Sequence, residues 1–192
     1  MNAVPLQLHI TLPQWMHDFP FQAPYETDED KVGLAIALSR VNVEKGSGGP
    51  FGAAIFAPDH RLISAGVNRV LPQSNSVAHA EMMAFMLAQS RLQSARINVA
   101  MDGSAWGPVT LATSSQPCCQ CFGASIWAGI DRTLIGARAQ DVMALTQFDE
   151  GPLPADWPGE LAKRGIQLTR DISREAACDV LRDYTRLEGG HY

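Results

Sequence analysis

The chain has 192 residues, 46% of them hydrophobic and 18% charged, which fits one domain around one core and excludes disorder over most of its length. Fifteen Lys and Arg against twenty Asp and Glu leave a net charge of −5, which disfavours a nucleic-acid partner, because phosphates demand a basic surface. No apolar run approaches the ~20 residues that cross a bilayer, and the first Lys or Arg is Lys31, too late for the charged start of a signal peptide, so the expected compartment is the cytosol with no membrane partner.

Residues 1–27 carry Pro5, Pro13, Pro20 and Pro24 and read as an extended N-terminal arm, with the domain proper at 28–192. Leu12, Trp15, Phe19 and Phe21 are the expected anchors of the arm on the core or on another subunit. Thr27 ahead of Asp28, Glu29 and Asp30 signals a helix start, and an apolar stripe through Val32, Ala35, Ile36 and Val43 carries that helix to about Lys45. Residues 46–50 break it; 51–57 and 61–67 read as a hairpin turned by Pro58, Asp59 and His60. Residues 77–94 read as a helix, 97–108 as a loop, 109–113 as a strand, 117–130 as a helix and 132–137 as a strand. Short helices at 141–146 and 159–164 flank a loop at 148–158; a strand at 166–169 and a helix at 173–187, capped by Ser173, complete the chain. A hairpin followed by strands that alternate with helices predicts a three-layer α/β/α domain on a five-stranded mixed sheet, since a strand returning parallel needs a crossover helix.

Four cysteines are sparse, and Cys118, Cys119 and Cys121 crowd into four positions where they cannot staple distant segments, which points to metal chemistry. Cys118 and Cys121, three apart behind Pro117, share one face of a helix start, where unpaired N–H groups favour the thiolate that zinc requires. His79 opens another helix. His79, Cys118 and Cys121 make three ligands and leave a fourth tetrahedral position for water, the pattern of a catalytic rather than a structural zinc. Glu81 carries no ligand role in this scheme; it takes the proton of the water and returns it to a ring nitrogen and the leaving amine, provided the first helical turn lies across the floor of a cleft. Cys119 reads as a packed neighbour and Cys178 as a core cysteine.

His79-x-Glu81 with Pro117-Cys118-x-x-Cys121 is the signature of zinc nucleobase deaminases, and the chain resembles the cytidine and deoxycytidylate deaminase superfamily. Within it the chain is most similar to bacterial guanine deaminases, through the Gly-Gly-Pro-Phe-Gly stretch at 48–52, Asn68, the two zinc motifs, Trp127, Phe148-Asp149-Glu150 and a terminal Tyr192. The resemblance spans roughly residues 30–192. It implies the cytidine deaminase-like fold, Zn²⁺ as cofactor, and hydrolysis of a free purine-like base, guanine to xanthine and ammonia, with aminotriazines such as ammeline as further substrates. It assigns Asn68 to the base, Phe51, Trp127 and Phe148 to apolar walls and cover, and Glu150 to a second acid/base or recognition role. It further implies a homodimer with exchanged C-terminal segments, in which Tyr192 closes the site. Without the resemblance, Phe51 and Trp127 suit core packing as well as a substrate wall, Asn68 suits a strand end and Glu150 a solvated loop. Alternative readings of the same motifs are a tRNA adenosine deaminase, a cytosine or nucleoside deaminase, and a non-catalytic zinc-stabilised binding module.

Overall fold

The computed structural model describes residues 6–22, 24–100 and 102–190. The Thr27 signal becomes a complete capping box: Thr27 Oγ1 accepts from the Asp30 N–H at 3.0 Å, and the Asp30 carboxylate accepts from the Thr27 N–H at 2.9 Å. Helix α1 (Asp28–Glu44) comes next, then the hairpin β1 (Gly52–Phe56) and β2 (Leu62–Val67), with a register shift beside Phe56. After it come α2 (Val70–Gln73), α3 (Ala80–Leu92), β3 (Thr110–Ser115), α4 (Cys119–Ala128) and β4 (Arg132–Ala137). The chain continues through α5 (Ala139–Leu145), α6 (Trp157–Ala162), β5 (Gln167–Thr169) and α7 (Arg174–Arg186).

The five strands form one mixed sheet in the order β2-β1-β3-β4-β5. Alternate residues of β1 serve opposite layers, as the period of a strand requires. Ala54 and Phe56 join Val32, Leu38 and Leu181 of α1 and α7, whereas Ala53 and Ile55 join Ala84 and Phe85 of α3. Both β2 and β3 are antiparallel to β1, so they run parallel to one another, and the segments that leave their C-terminal ends emerge at the same end of the sheet. Since β3 and β4 pair in parallel, the segment after β4 arrives there too.

Local differences from the sequence reading have local causes. An Asn75 turn, in which the Ala78 N–H donates to the Asn75 carbonyl and the Val77 N–H to Asn75 Oδ1, keeps 77–79 out of the helix, so α3 starts at Ala80. The short α2, which carries no periodic signal, is anchored by the Val70 N–H donating to Asn68 Oδ1. Ser173 is left-handed at φ 49° and makes no side-chain cap bond. Along the arm a 3-10 turn spans Gln14–His17; Leu12, Trp15 and Phe19 lie against the core, and Trp15 Nε1 donates to Ser47 Oγ at 2.9 Å. Phe21 stays partly exposed, 4.8 Å from the Phe19 ring.

Candidate active site

Where β2 and β3 end, two helices begin, each on a candidate ligand. His79 is the N-cap of α3 and Cys118 the N-cap of α4, both with extended backbone. Cys118 therefore precedes the helix that the Pro117 pattern predicts to include it. Helix α3 starts this close to the sheet because Gly66 lies beneath it: a Cβ there would come within 2.3 Å of the Ala80 carbonyl oxygen. His79 Nδ1 lies 3.4 Å from Cys118 Sγ and 3.7 Å from Cys121 Sγ, and the three donors fall within 4.8 Å of one another. Tetrahedral bonds to zinc of about 2.3 Å from sulfur and 2.0–2.1 Å from nitrogen set those donors roughly 3.6 Å apart, so the donor set fits the ion.

Charge follows the geometry. Hydrogen bonds from Cys121 and His79 hold the Cys118 thiol down at about 4 against the cost of its burial, while the Cys118 sulfur and burial push Cys121 up. Burial works against a charged His79, but Cys118 beside it raises its basicity on balance. Glu81, on the first turn of α3, is buried, and its carboxyl is pushed up by that burial and then by Cys118. Its Oε2 lies 3.4 Å from Cys121 Sγ, facing the donor set, and its Oε1 lies 3.3 Å from Thr113 Oγ1. Glu81 and His79 both line one cleft.

The cleft is narrow, with about 40 Å³ of free space. Phe51, Asn68, His79, Glu81, Cys118, Phe148 and Glu150 all line it. Asn68 is fully buried; its Oδ1 accepts from the Gly49 and Val70 N–H groups, both at 3.3 Å. Glu150 is clamped by its backbone: the Cys119 N–H donates to the Glu150 carbonyl at 3.0 Å, and the next residue, Gly151, at φ +66°, passes so near Cys119 that a Cβ would sit 2.5 Å from its sulfur. Cys119 is thus a loop support and not a ligand. Burial, then Cys118 and Glu81, push the Glu150 carboxyl up to about 8. The Phe148 ring meets Phe51 edge-on at 5.2 Å and stacks on Tyr184 at 5.9 Å.

Trp127 is the correction. It is 79% exposed and borders a different cleft with Arg96 and Arg164, because α4 starts at the site and carries its ninth residue about 12 Å along the axis. Tyr192 lies outside the described residues. Thr113, Ser115 and Gln116 carry no motif in the sequence, yet Ser115 and Gln116 line the cleft and Thr113 touches Glu81; the one signal for them is their place at the carboxyl end of a strand, where α/β sheets bind ligands.

A family model for the cytidine and deoxycytidylate deaminase zinc-binding region matches residues 25–137. Among solved structures, the guanine deaminase of Nitrosomonas europaea is 39% identical over 96% of this chain and 100% of its own, with a TM-score of 0.86. NE0047 in complex with 2,6-diaminopurine is 41% identical over 96% and 95% of the two chains, also with a TM-score of 0.86. The guanine deaminase of Bacillus subtilis is 35% identical over 60% of this chain and 67% of its own length. The chain spans only 28% of another curated relative, the tRNA(Ile)-lysidine synthase of Deinococcus deserti, at 27% identity.

Proposed function

Because the chain belongs to the cytidine and deoxycytidylate deaminase zinc-binding family, we propose that it is a zinc-dependent aminohydrolase converting free guanine and water to xanthine and ammonia. One observation carries the reading: two carboxyl groups, Glu81 and Glu150, share a cleft with a His-Cys-Cys donor set and the Asn68 amide. Likeness over nearly the whole chain to a guanine deaminase supports the choice of base.

His79, Cys118 and Cys121 would hold the zinc, and the chemistry zinc would supply when bound is Lewis-acid activation of water at neutral pH. Glu81 takes a proton from the attacking water at Oε2, the oxygen facing the donor set, gives it to the ring nitrogen beside C2, then takes the proton of the new C2 hydroxyl and gives it to the departing amino group. A C–O bond forms at C2 and the C–N bond breaks, so ammonia leaves and the ring keeps a carbonyl. Guanine presents N1–H and N2–H₂ as donors, which suits the Glu150 carboxyl, and carries acceptors that suit the Asn68 amide. Phe51 and Phe148 supply aromatic faces for the planar ring.

The enzyme is further read as a cytosolic homodimer, in a compartment where its four free thiols stay reduced, with exchanged C-terminal segments and Tyr192 closing a site. The reach of the tail to the cleft has support in the path of the chain after α7. Gly189 crosses the face of Tyr184, whose hydroxyl donates to the Gly190 carbonyl and whose ring stacks on Phe148 at the wall of the cleft. Ammonia release from the zinc-loaded protein, compared across guanine, guanosine, cytosine, cytidine, adenosine and an aminotriazine, tests the reading. Guanine should be fastest; no release from guanine, or faster release from cytosine, overturns it.

A further inference from the structure

We propose that Thr113 is a positioning residue for the deamination, its hydroxyl holding the Glu81 carboxyl in the orientation that turns Oε2 toward the attacking water. The inference rests on the proton-carrying role of Glu81 and deepens it.

Thr113 stands near the end of β3 and is 2% exposed, so no bulk solvent reaches it to replace a lost partner. Its Oγ1 has two neighbours of the right kind: Glu81 Oε1 at 3.3 Å and the Ser115 carbonyl oxygen at 2.9 Å. A hydroxyl has one proton and two acceptor positions, and its proton rotates about the C–O bond at little cost. With the proton turned to Glu81, Thr113 donates to a carboxylate; with it turned to the Ser115 carbonyl, the same oxygen accepts from a protonated carboxyl. The oxygen itself need not move. Glu81 alternates between these two forms in each turnover, and a partner able to serve only one would pull the carboxyl out of line in the other.

Cys121, which faces the other oxygen of Glu81, cannot do this. It belongs to the donor set, so its sulfur would be committed to the metal rather than to steering the carboxylate. Strand β3 is a rigid mount: Thr113 pairs with Ala53 of β1 and Ile135 of β4 in the interior of the sheet. A group that must be held within a fraction of an ångström is best fixed by a side chain on such an element.

The test compares three zinc-loaded proteins. Thr113→Val keeps the shape and removes the hydroxyl; Thr113→Ser keeps the hydroxyl and removes the methyl. A lost hydrogen bond to a charged group predicts that kcat for guanine falls about tenfold to a hundredfold in Thr113→Val, with KM within about threefold of the parent and zinc content and far-ultraviolet dichroism unchanged, while Thr113→Ser returns kcat to within about threefold. Parental kcat in Thr113→Val overturns the inference, and so do equal losses in the Val and Ser variants, which would make packing the cause. If Thr113→Val is recovered unfolded, Thr113→Ala is read against Thr113→Ser by the same criteria. A parent protein inactive on guanine would instead overturn the functional reading, so the two failures are distinguishable.

Discussion

Glu81 sits only two positions beyond His79, a spacing that in mid-helix would send the side chains in different directions. It works here because His79 is not in the helix at all: it is an N-cap with extended backbone, so the mid-helix rule does not apply, and both side chains line one cleft. Glu81→Gln is expected to keep zinc at the parental ratio, because Glu81 is not in the donor set, and to lower guanine turnover by at least 10²-fold. Metal analysis beside ammonia release decides this, and a variant that lost its zinc would make Glu81 a ligand. At this scale the ligands are legible because short motifs record chemistry directly. Trp127 misleads because a motif neighbour six residues beyond Cys121 is near in sequence and far along the helix axis, and Thr113 escapes notice because a buried strand threonine looks like any other.

Helix α5 shows what one carboxylate does for two elements. Asp141 accepts from the Arg138 N–H at 2.8 Å, closing the start of α5, and from Arg174 Nε at 2.7 Å, which tethers the first residue of α7. The Arg174 hydrogen bond holds the Asp141 carboxyl below its ordinary range. A group whose folded value is depressed stabilises the fold above its unfolded value, near 3.9, and loses that contribution as pH falls through the folded value. Asp141→Asn should cost about 1 kcal/mol at neutral pH, the scale of a lost cap, and in urea titrations the gap to the parent should narrow as pH falls from 6 to 3. An unchanged gap at pH 3 would remove ionisation from the account. Strand and helix identities are legible from apolar periodicity, whereas the boundaries at Ala80 and Cys119 are not, since turn geometry at Asn75 and an extended N-cap cysteine leave no periodic trace.

For the molecule as a whole, the five-stranded mixed sheet is legible from the order of its elements, because crossovers leave few ways to pack such a chain. The convergence of the site is less so: it depends on β2 and β3 sharing a direction across β1, a relation between strands rather than a property of any segment. The C-terminal passage over Tyr184 also belongs to this scale. Removing residues 189–192 should leave zinc content and melting temperature near the parental values and cut guanine turnover at least tenfold, and light scattering of parent and truncated chains should show a dimer in the first case. Full activity in the truncated chain would contradict the role of the tail, and a monomeric parent would contradict the dimer. The wide separation of His79 from Cys118, 39 positions apart, has a kinetic corollary. In an unfolded chain the two cysteines are close neighbours, but recruiting the histidine means closing a loop whose entropy costs about 3 kcal/mol. The sheet closes that loop for its own reasons, so the complete trio exists only after the strands have paired, and the ion arrives at a finished seat. Stopped-flow refolding should therefore proceed at the same rate with and without zinc, with the metal acting later, as a brake on unfolding.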